Sequence, residues 1–147
     1  MKTKGFFGIG CFNMKFEENY GTLFRTAYTF GASYIFLIGN RFKKQASDTC
    51  KSWKNIPLFE YETFEDFKKN TPYKANIIGV ELTDEATKIK NFKHPLNAVY
   101  LLGAEDIGLS ENIIKQCDKT VVLPGDWSLN VAVAGSIVLF DRINKLS

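Results

Sequence analysis

The chain is short of the residues that build the commonest chemical sites. It has one histidine, His94, and three cysteines, Cys11, Cys50 and Cys117. The thiols are odd in number, widely spaced and without any C-x-x-C, which excludes a disulfide framework and a zinc site, so all three read as reduced packing residues. His94 stands before Pro95 in a polar stretch with no second ligand nearby; it reads as an exposed loop residue, and no metal is expected. Long apolar runs are missing too. The longest, Val131 to Phe140, is half of the roughly 20 residues a membrane helix needs. Met1-Lys2-Thr3-Lys4-Gly5 lacks the apolar core and small-residue cleavage site of a signal peptide, so the cytoplasm is the expected location. A dinucleotide fingerprint is absent: Gly8-Ile9-Gly10 has no third glycine, it lies inside an apolar run, and Asn40 and Arg41 stand where an acid should close the second strand. No G-K-[S/T] occurs, so there is no P-loop. The net charge of +3 permits a polyanionic partner without demanding one.

What is present is an ordinary globular composition, 45% hydrophobic and 24% charged over 147 residues, enough for one domain spanning residues 1–147. Two hydrophobic periods alternate along it. Gly5 to Phe12 reads as a first strand, and Asn19 to Phe30 as a helix with Leu23, Phe24, Ala27 and Phe30 on one face, ended by Gly31. Ser33 to Ile38 is a second strand and Leu58 to Tyr61 a third; Thr63 caps a short helix to Asn70. Ala75 to Leu82 is a fourth strand, Thr83 to Pro95 is polar and unassigned, and Asn97 to Gly103 is a fifth. Ser110 caps a helix through Cys117, Thr120 to Leu123 is a sixth strand, and Leu129 to Lys145 is the closing helix. Continuous apolar strands alternating with helices imply a parallel sheet covered on both faces, an α/β/α sandwich.

Two stretches stand out from this pattern. Between Arg41 and Asn55 the chain carries Arg41, Lys43, Lys44, Lys51 and Lys54 against one acid, Asp48, with Phe42 and Trp53 interleaved. That is a solvated loop or a surface that tracks phosphates and stacks bases. Near the C-terminus, the strand Val121-Val122-Leu123 is stopped by Pro124-Gly125, and Ser128 and Asn130 then stand where the last helix begins and its N–H groups lack partners. Inside that helix, Gly135 costs about 1 kcal/mol relative to alanine, which implies a close approach of another element.

Three constellations occur in order. Asn19 to Gly31 is N-x-G-x-x-x-R-x-A-x-x-F-G; Gly103 to Ser110 is G-x-E-x-x-G-L-S; Leu123-Pro124 with Ser128-Leu129-Asn130-Val131 is the third. Together they cover nearly the whole chain, and the sequence resembles the SpoU/TrmH family of SPOUT RNA methyltransferases. The resemblance implies a C-terminal deep trefoil knot, with knot and cofactor site within roughly 76–147. It further implies S-adenosylmethionine as cofactor, tRNA or rRNA as substrate, a ribose 2′-hydroxyl as methyl acceptor, and a homodimer.

By position, the resemblance makes Arg25, Asn19, Glu105, Ser128 and Asn130 the catalytic set, and gives Leu82, Gly103, Glu105, Gly108, Val122, Leu123, Ser128 and Leu129 to the cofactor. Arg25 belongs to the partner subunit's site in this family. A guanidinium is protonated essentially always, so it suits positioning a phosphate and ribose better than taking a proton. Asn19, Ser128 and Asn130 are open to a plainer reading as helix caps, and Glu105 to one as a surface acid. Arg41, Lys43, Lys44, Lys51, Trp53 and Lys54 are the RNA-binding candidates.

By length the chain is expected to resemble the minimal members, without the N-terminal RNA-binding domain and C-terminal helical extension that many relatives carry, and Ala104 stands where minimal members that modify the tRNA wobble position usually have proline; the target nucleotide stays open. A rival reading is a non-catalytic RNA-binding protein on the same fold, which cofactor binding discriminates. An ordinary small-molecule α/β enzyme would need a nucleophile or acid–base pair in a cleft, and none is apparent. If the basic stretch tracks phosphates, replacing Lys43, Lys44 and Lys51 together by alanine weakens RNA binding and lowers the slope of log affinity against log salt by about one unit per lost contact. An unchanged slope in a salt titration assigns these lysines to a solvated loop.

Overall fold

In the computed structural model, which describes residues 5–41 and 56–146, the apolar runs are strands. They are β1 (Phe6–Phe12), β2 (Tyr34–Ile38), β3 (Leu58–Tyr61), β4 (Asn76–Val80), β5 (Thr87–Lys88), β6 (Asn97–Leu102) and β7 (Lys119–Val122). They form one sheet in the order β3-β2-β1-β6-β4-β7-β5, and every pairing is parallel. β5 lies in the stretch left unassigned from sequence: it is two exposed polar residues paired at the sheet edge, too short to leave a period. Because all strands run the same way, the loops after β4, β6 and β7 emerge on one rim, where parallel sheets hold their ligands.

Four helices cover the two faces: α1 (Glu17–Phe30), α2 (Phe64–Lys69), α3 (Glu111–Gln116) and α4 (Val131–Leu146). Alternation along the strands divides the core. Phe7, Ile9, Leu37, Ile78, Tyr100 and Leu102 join Leu23 and Ala27 of α1 and Val138 and Leu139 of α4. On the other side Tyr34, Phe36, Val99 and Leu101 pack with Phe64 and Phe67 of α2 and Ile113 of α3. Gly8 lies on that second face under an aromatic ring; a Cβ there would stand 2.5 Å from Tyr34 Cε1. Its absence of side chain makes room for the Tyr34 ring.

Local signals set the helix ends. Thr63 Oγ1 accepts from Asp66 N–H, and Ser110 Oγ from Ile113 N–H, while Gly31 closes α1 at φ 77°. In α4, a Cβ at Gly135 would approach Leu23 Cδ1 of α1 to 2.6 Å, and Thr26 and Ser136 share a hydrogen bond of 2.9 Å beside it. The glycine therefore lets α4 settle onto α1 and the sheet at once, with a penalty in helix propensity offset by close packing. Cys11 is buried with its thiol donating to Gly103 C=O at 3.3 Å, and burial pushes it well above the ordinary thiol range. Cys117 is half-buried and pushed up to about 11, chiefly by burial. Cys50 lies outside the described residues.

His94 is buried, which corrects the expectation of an exposed loop residue. Its Nε2 lies 2.7 Å from Asp141 Oδ2 and its Nδ1 2.7 Å from Tyr100 Oη. Since the carboxylate only accepts, Nε2 carries the proton and Nδ1 accepts from the tyrosine hydroxyl. Arg142, fully buried, donates to Pro95 C=O at 2.7 Å, Leu96 C=O at 2.8 Å and Tyr100 Oη at 3.0 Å. Lys145 donates to Ile89 and Phe92 carbonyls and meets Asp141 at 2.9 Å. The last turns of α4 thus clamp the polar segment before β6, giving donors to the carbonyls of Ile89, Phe92, Pro95 and Leu96.

Burial pulls the His94 pKa down; Asp141 pulls it up, Arg142 and Lys145 push it down, and the net result is a lowered value. A lowered folded-state value favours the neutral ring, so this contribution to stability is complete above about pH 6.5 and is lost as the pH falls towards the folded-state value. With no other histidine in the chain, the melting temperature should fall between pH 7 and pH 5. In His94→Gln that slope should flatten, at a loss of about 1–3 kcal/mol at pH 7. An equally steep slope in the variant would assign the acid sensitivity elsewhere.

Candidate functional site

The carboxyl ends of β4, β6 and β7 and the start of α1 bound a cleft of about 570 Å³. Its construction begins with a deficiency of α1. The residue in the N-cap position is Phe16, which has no side chain able to cap, and the N–H groups at the helix entrance need acceptors. Glu105, on the loop after β6, supplies them: Oε1 accepts from Lys15 N–H at 2.8 Å and Oε2 from Phe16 N–H at 2.9 Å. Oε2 also accepts from Asn19 Nδ2 at 2.8 Å. Burial pulls the Glu105 pKa up, but the bonds from Asn19, Lys15 and Phe16 outweigh it and hold the carboxyl below its ordinary range.

With its amide nitrogen turned to the carboxylate, Asn19 faces the next partner with its oxygen, and Oδ1 accepts from Asn130 Nδ2 at 3.0 Å. Asn130 in turn presents its oxygen to the last helix, and Oδ1 accepts from Ala132 N–H at 2.9 Å and Val133 N–H at 3.2 Å. A single chain of bonds therefore runs from the entrance of α1 through Glu105, Asn19 and Asn130 to the start of α4. Asn130 caps its helix as one reading had it. Asn19 does not; it lies buried in the first turn of α1 and spans two other elements. Glu105 is no free surface acid.

The loop after β6 is held on its other side as well. Gly108 N–H donates to Ala104 C=O at 2.9 Å and takes φ 63°, and a side chain at Gly103 would collide with the Gly108 and Leu109 backbone. Glu81 reaches in from the end of β4, its Oε2 accepting from Leu109 N–H at 2.7 Å and its Oε1 from Leu82 N–H at 3.0 Å. The sequence reading missed Glu81, although an acid closing the apolar run from Ala75 to Leu82 was a visible signal. Asp106 is gripped by Arg41 at 2.6 and 3.1 Å, with Lys15 at 3.8 Å, and these cations hold its pKa down at about 2. Arg41, expected at the RNA, is thus tied to the loop after β6. Lys43, Lys44, Lys51, Trp53 and Lys54 lie outside the described residues.

Leu82, Gly103, Glu105, Gly108, Val122, Leu123, Ser128 and Leu129 all line the cleft, with Asn19 and Asn130. Phe16, Ile107 and Trp127 line it too and were not foreseen. Arg25 does not: it lies on the exposed side of α1, away from the cleft walls. Four of the five catalytic candidates are therefore brought together within one chain and the fifth is not. Among the described residues, no three His, Cys, Asp or Glu side chains are grouped to hold a metal ion, and no helix is long and apolar enough to cross a membrane.

A parallel α/β sheet with its cleft built from the loops after β4, β6 and β7 defines a class, and comparison with known proteins defines the family. The model of the SpoU rRNA Methylase family matches residues 7–140, and the chain belongs to that family. It is 30% identical over 146 residues to an uncharacterized tRNA/rRNA methyltransferase of Archaeoglobus fulgidus, covering 94% of this chain and 64% of that one. The chain spans between 8% and 64% of the length of the curated relatives it matches. A protein whose structure gives insight into 2-OH methylation of C/U34 on tRNA superposes with a TM-score of 0.85 at 22% identity, over 98% of both chains. The SpoU methyltransferase AviRb of Streptomyces viridochromogenes, in complex with AdoMet, superposes with a TM-score of 0.81 at 20% identity, over 97% of this chain and 58% of that one. At these identities the two structures show a shared fold.

The bond chain is directly testable. Asn19→Ala and Glu105→Ala should each destabilise the protein by about 1–3 kcal/mol, and the double variant should fall short of their sum by about 1 kcal/mol or more. Strict additivity in denaturant titrations would mean that the two side chains do not act through each other.

Proposed function

We propose that this protein is an S-adenosylmethionine-dependent RNA methyltransferase, a single domain acting in the cytoplasm, that transfers a methyl group to a ribose 2′-hydroxyl of tRNA or rRNA. The observation that carries the reading is the convergence of three motifs of a SpoU chain on one cleft through Glu105, Asn19 and Asn130. The cleft fits the cofactor in size and chemistry. About 570 Å³ is within the range of small-molecule sites. Its walls join Leu82, Val122, Leu123 and Leu129 with the carboxylates of Glu81, Glu105 and Asp106, apolar surface for an adenosine and negative charge for a cationic methionyl sulfonium.

When bound, the cofactor supplies an electrophilic methyl group on a positively charged sulfur. The protein's share is placement. Glu105, engaged by three donors and held ionised, is a poor proton acceptor and acts by fixing the loop after β6 against α1. Asn19 and Asn130 fix the loop after β7, so that Ser128 is presented at the cleft. The knot implied by the family accords with a strand order in which, from β3 onward, consecutive strands are not sheet neighbours, and with the backbone contact at Gly103.

Arg25 reaches such a site from a second copy. An apolar stripe runs along α4 with Val133 47%, Ile137 38% and Phe140 58% exposed, spaced as one helical face. On the helix that carries Arg25, Tyr28 is 43% exposed, and Phe30 meets Phe140 of the stripe with ring centroids 6.5 Å apart. Burying these side chains in a homodimer would bring each Arg25 to its partner's cleft, where a guanidinium grips the phosphate beside the reacting ribose.

Light scattering should report twice the mass of the 147-residue chain. Calorimetry should show saturable binding of S-adenosylhomocysteine, and Arg25→Ala should abolish methyl transfer while keeping that affinity within a few-fold. Absence of binding at millimolar cofactor favours the non-catalytic RNA-binding reading; a strict monomer with full activity removes the shared site.

A further inference from the structure

Trp127 is 86% exposed, the most exposed of the chain's large apolar side chains among the described residues. It is not scattered at random. It lines the cleft together with four other exposed apolar side chains: Ile107 at 68%, Leu82 at 47%, Leu129 at 44% and Phe16 at 43%. Single exposed apolar residues need no explanation, but a group concentrated around one cleft marks a surface that something covers.

The surroundings narrow what that something is. Glu81 and Glu105 put carboxylates on the inner side of the same cleft, which favours a neutral aromatic ring over a phosphate at that spot, while Asp106 is paired with Arg41 and Lys15. Depth then separates two kinds of ring. Val122 and Leu123 are half-buried at the end of β7 and form the inner wall, accessible to a small molecule. Trp127 and Ile107 stand outermost, on the loops after β7 and β6, where a polymer too large to enter can still lay one nucleotide. Trp127 also immediately precedes Ser128 and is three residues from Asn130, whose oxygen is fixed to the start of α4. Its loop is therefore anchored beside the bond chain.

We propose that the Trp127 indole is the platform on which the base of the RNA nucleotide at the cleft stacks, which holds that nucleotide at the cleft. This deepens the proposed function, resting on its assignment of RNA as substrate. Stacking of a base on an aromatic side chain is worth about 1–3 kcal/mol, a factor of roughly 5 to 150 in affinity. It tolerates all four bases, since each has a π-face, so Trp127 holds the nucleotide rather than reading its identity.

Fluorine NMR of the full chain labelled with 5-fluorotryptophan gives one resonance for each of the two tryptophans, assigned with Trp127→Phe. The Trp127 resonance should shift on titration with single-stranded RNA octamers, should not shift with an abasic ribose-phosphate chain of equal length, and should not shift with S-adenosylhomocysteine alone. In transfer assays on tRNA and rRNA from cells lacking the gene, Trp127→Ala should raise KM for RNA about 5- to 150-fold with kcat within about three-fold, and Trp127→Phe should recover most of the loss. A shift with S-adenosylhomocysteine alone would assign the indole to the cofactor's adenine. A shift with protein concentration alone would assign it to a second copy, and equal shifts with abasic and base-bearing chains would reduce the contact to backbone; each overturns the proposal, as does the absence of any shift. Failure of the wild-type protein to transfer methyl groups would count against the proposed function, and the fluorine titration still reads the base contact on its own.

Discussion

The rest of the structure depends on the hydrogen-bond chain from Glu105 through Asn19 to Asn130. Each link removes a choice from the next. The carboxylate takes the N–H groups of Lys15 and Phe16 and the Asn19 amide, which turns the Asn19 oxygen to Asn130, which turns the Asn130 oxygen to the α4 backbone. Two helices and two loops are thereby set relative to one another by three polar side chains in a partly buried space, where an unmade bond costs more than a made one contributes. A cleft so framed is pre-organised, and pre-organisation is what a site that works by placement requires.

The opposite end of α4 is fixed by different means. There Asp141, Arg142 and Lys145 hold His94, Tyr100 and the carbonyls of the segment before β6. Between the two polar anchors, Gly135 lets the helix lie close on α1 and the sheet. The helix is thus held at its start by capping, at its middle by packing and at its end by a charged cluster. Its outward stripe of Val133, Ile137 and Phe140 stays exposed.

What the sequence made legible was local. Strands announced themselves as apolar runs, and Thr63, Ser110 and Gly31 act within three or four residues of where they stand. The residue sets gathered at the cleft were also legible, because the three motifs carry them in fixed spacing. Partnerships across the chain were not. His94 is buried because Asp141 lies 47 positions away, and Asn19 bonds a carboxylate 86 positions away; neither distance leaves a trace in hydrophobic period. The two-residue β5 is too short to carry a period at all. Arg25 illustrates a different limit: its motif marks it, yet within one chain it stands apart from the residues it was grouped with.

If the geometry serves the chemistry proposed, the protein leaves one kind of mark on RNA. Nucleoside mass spectrometry of tRNA and rRNA from cells with and without the gene should show the loss of a ribose 2′-O-methyl at a defined nucleotide, restored when purified protein and S-adenosylmethionine are added to the undermethylated RNA. Loss of a base methylation in its place, or RNA unchanged at every nucleotide together with no transfer in vitro, would contradict it.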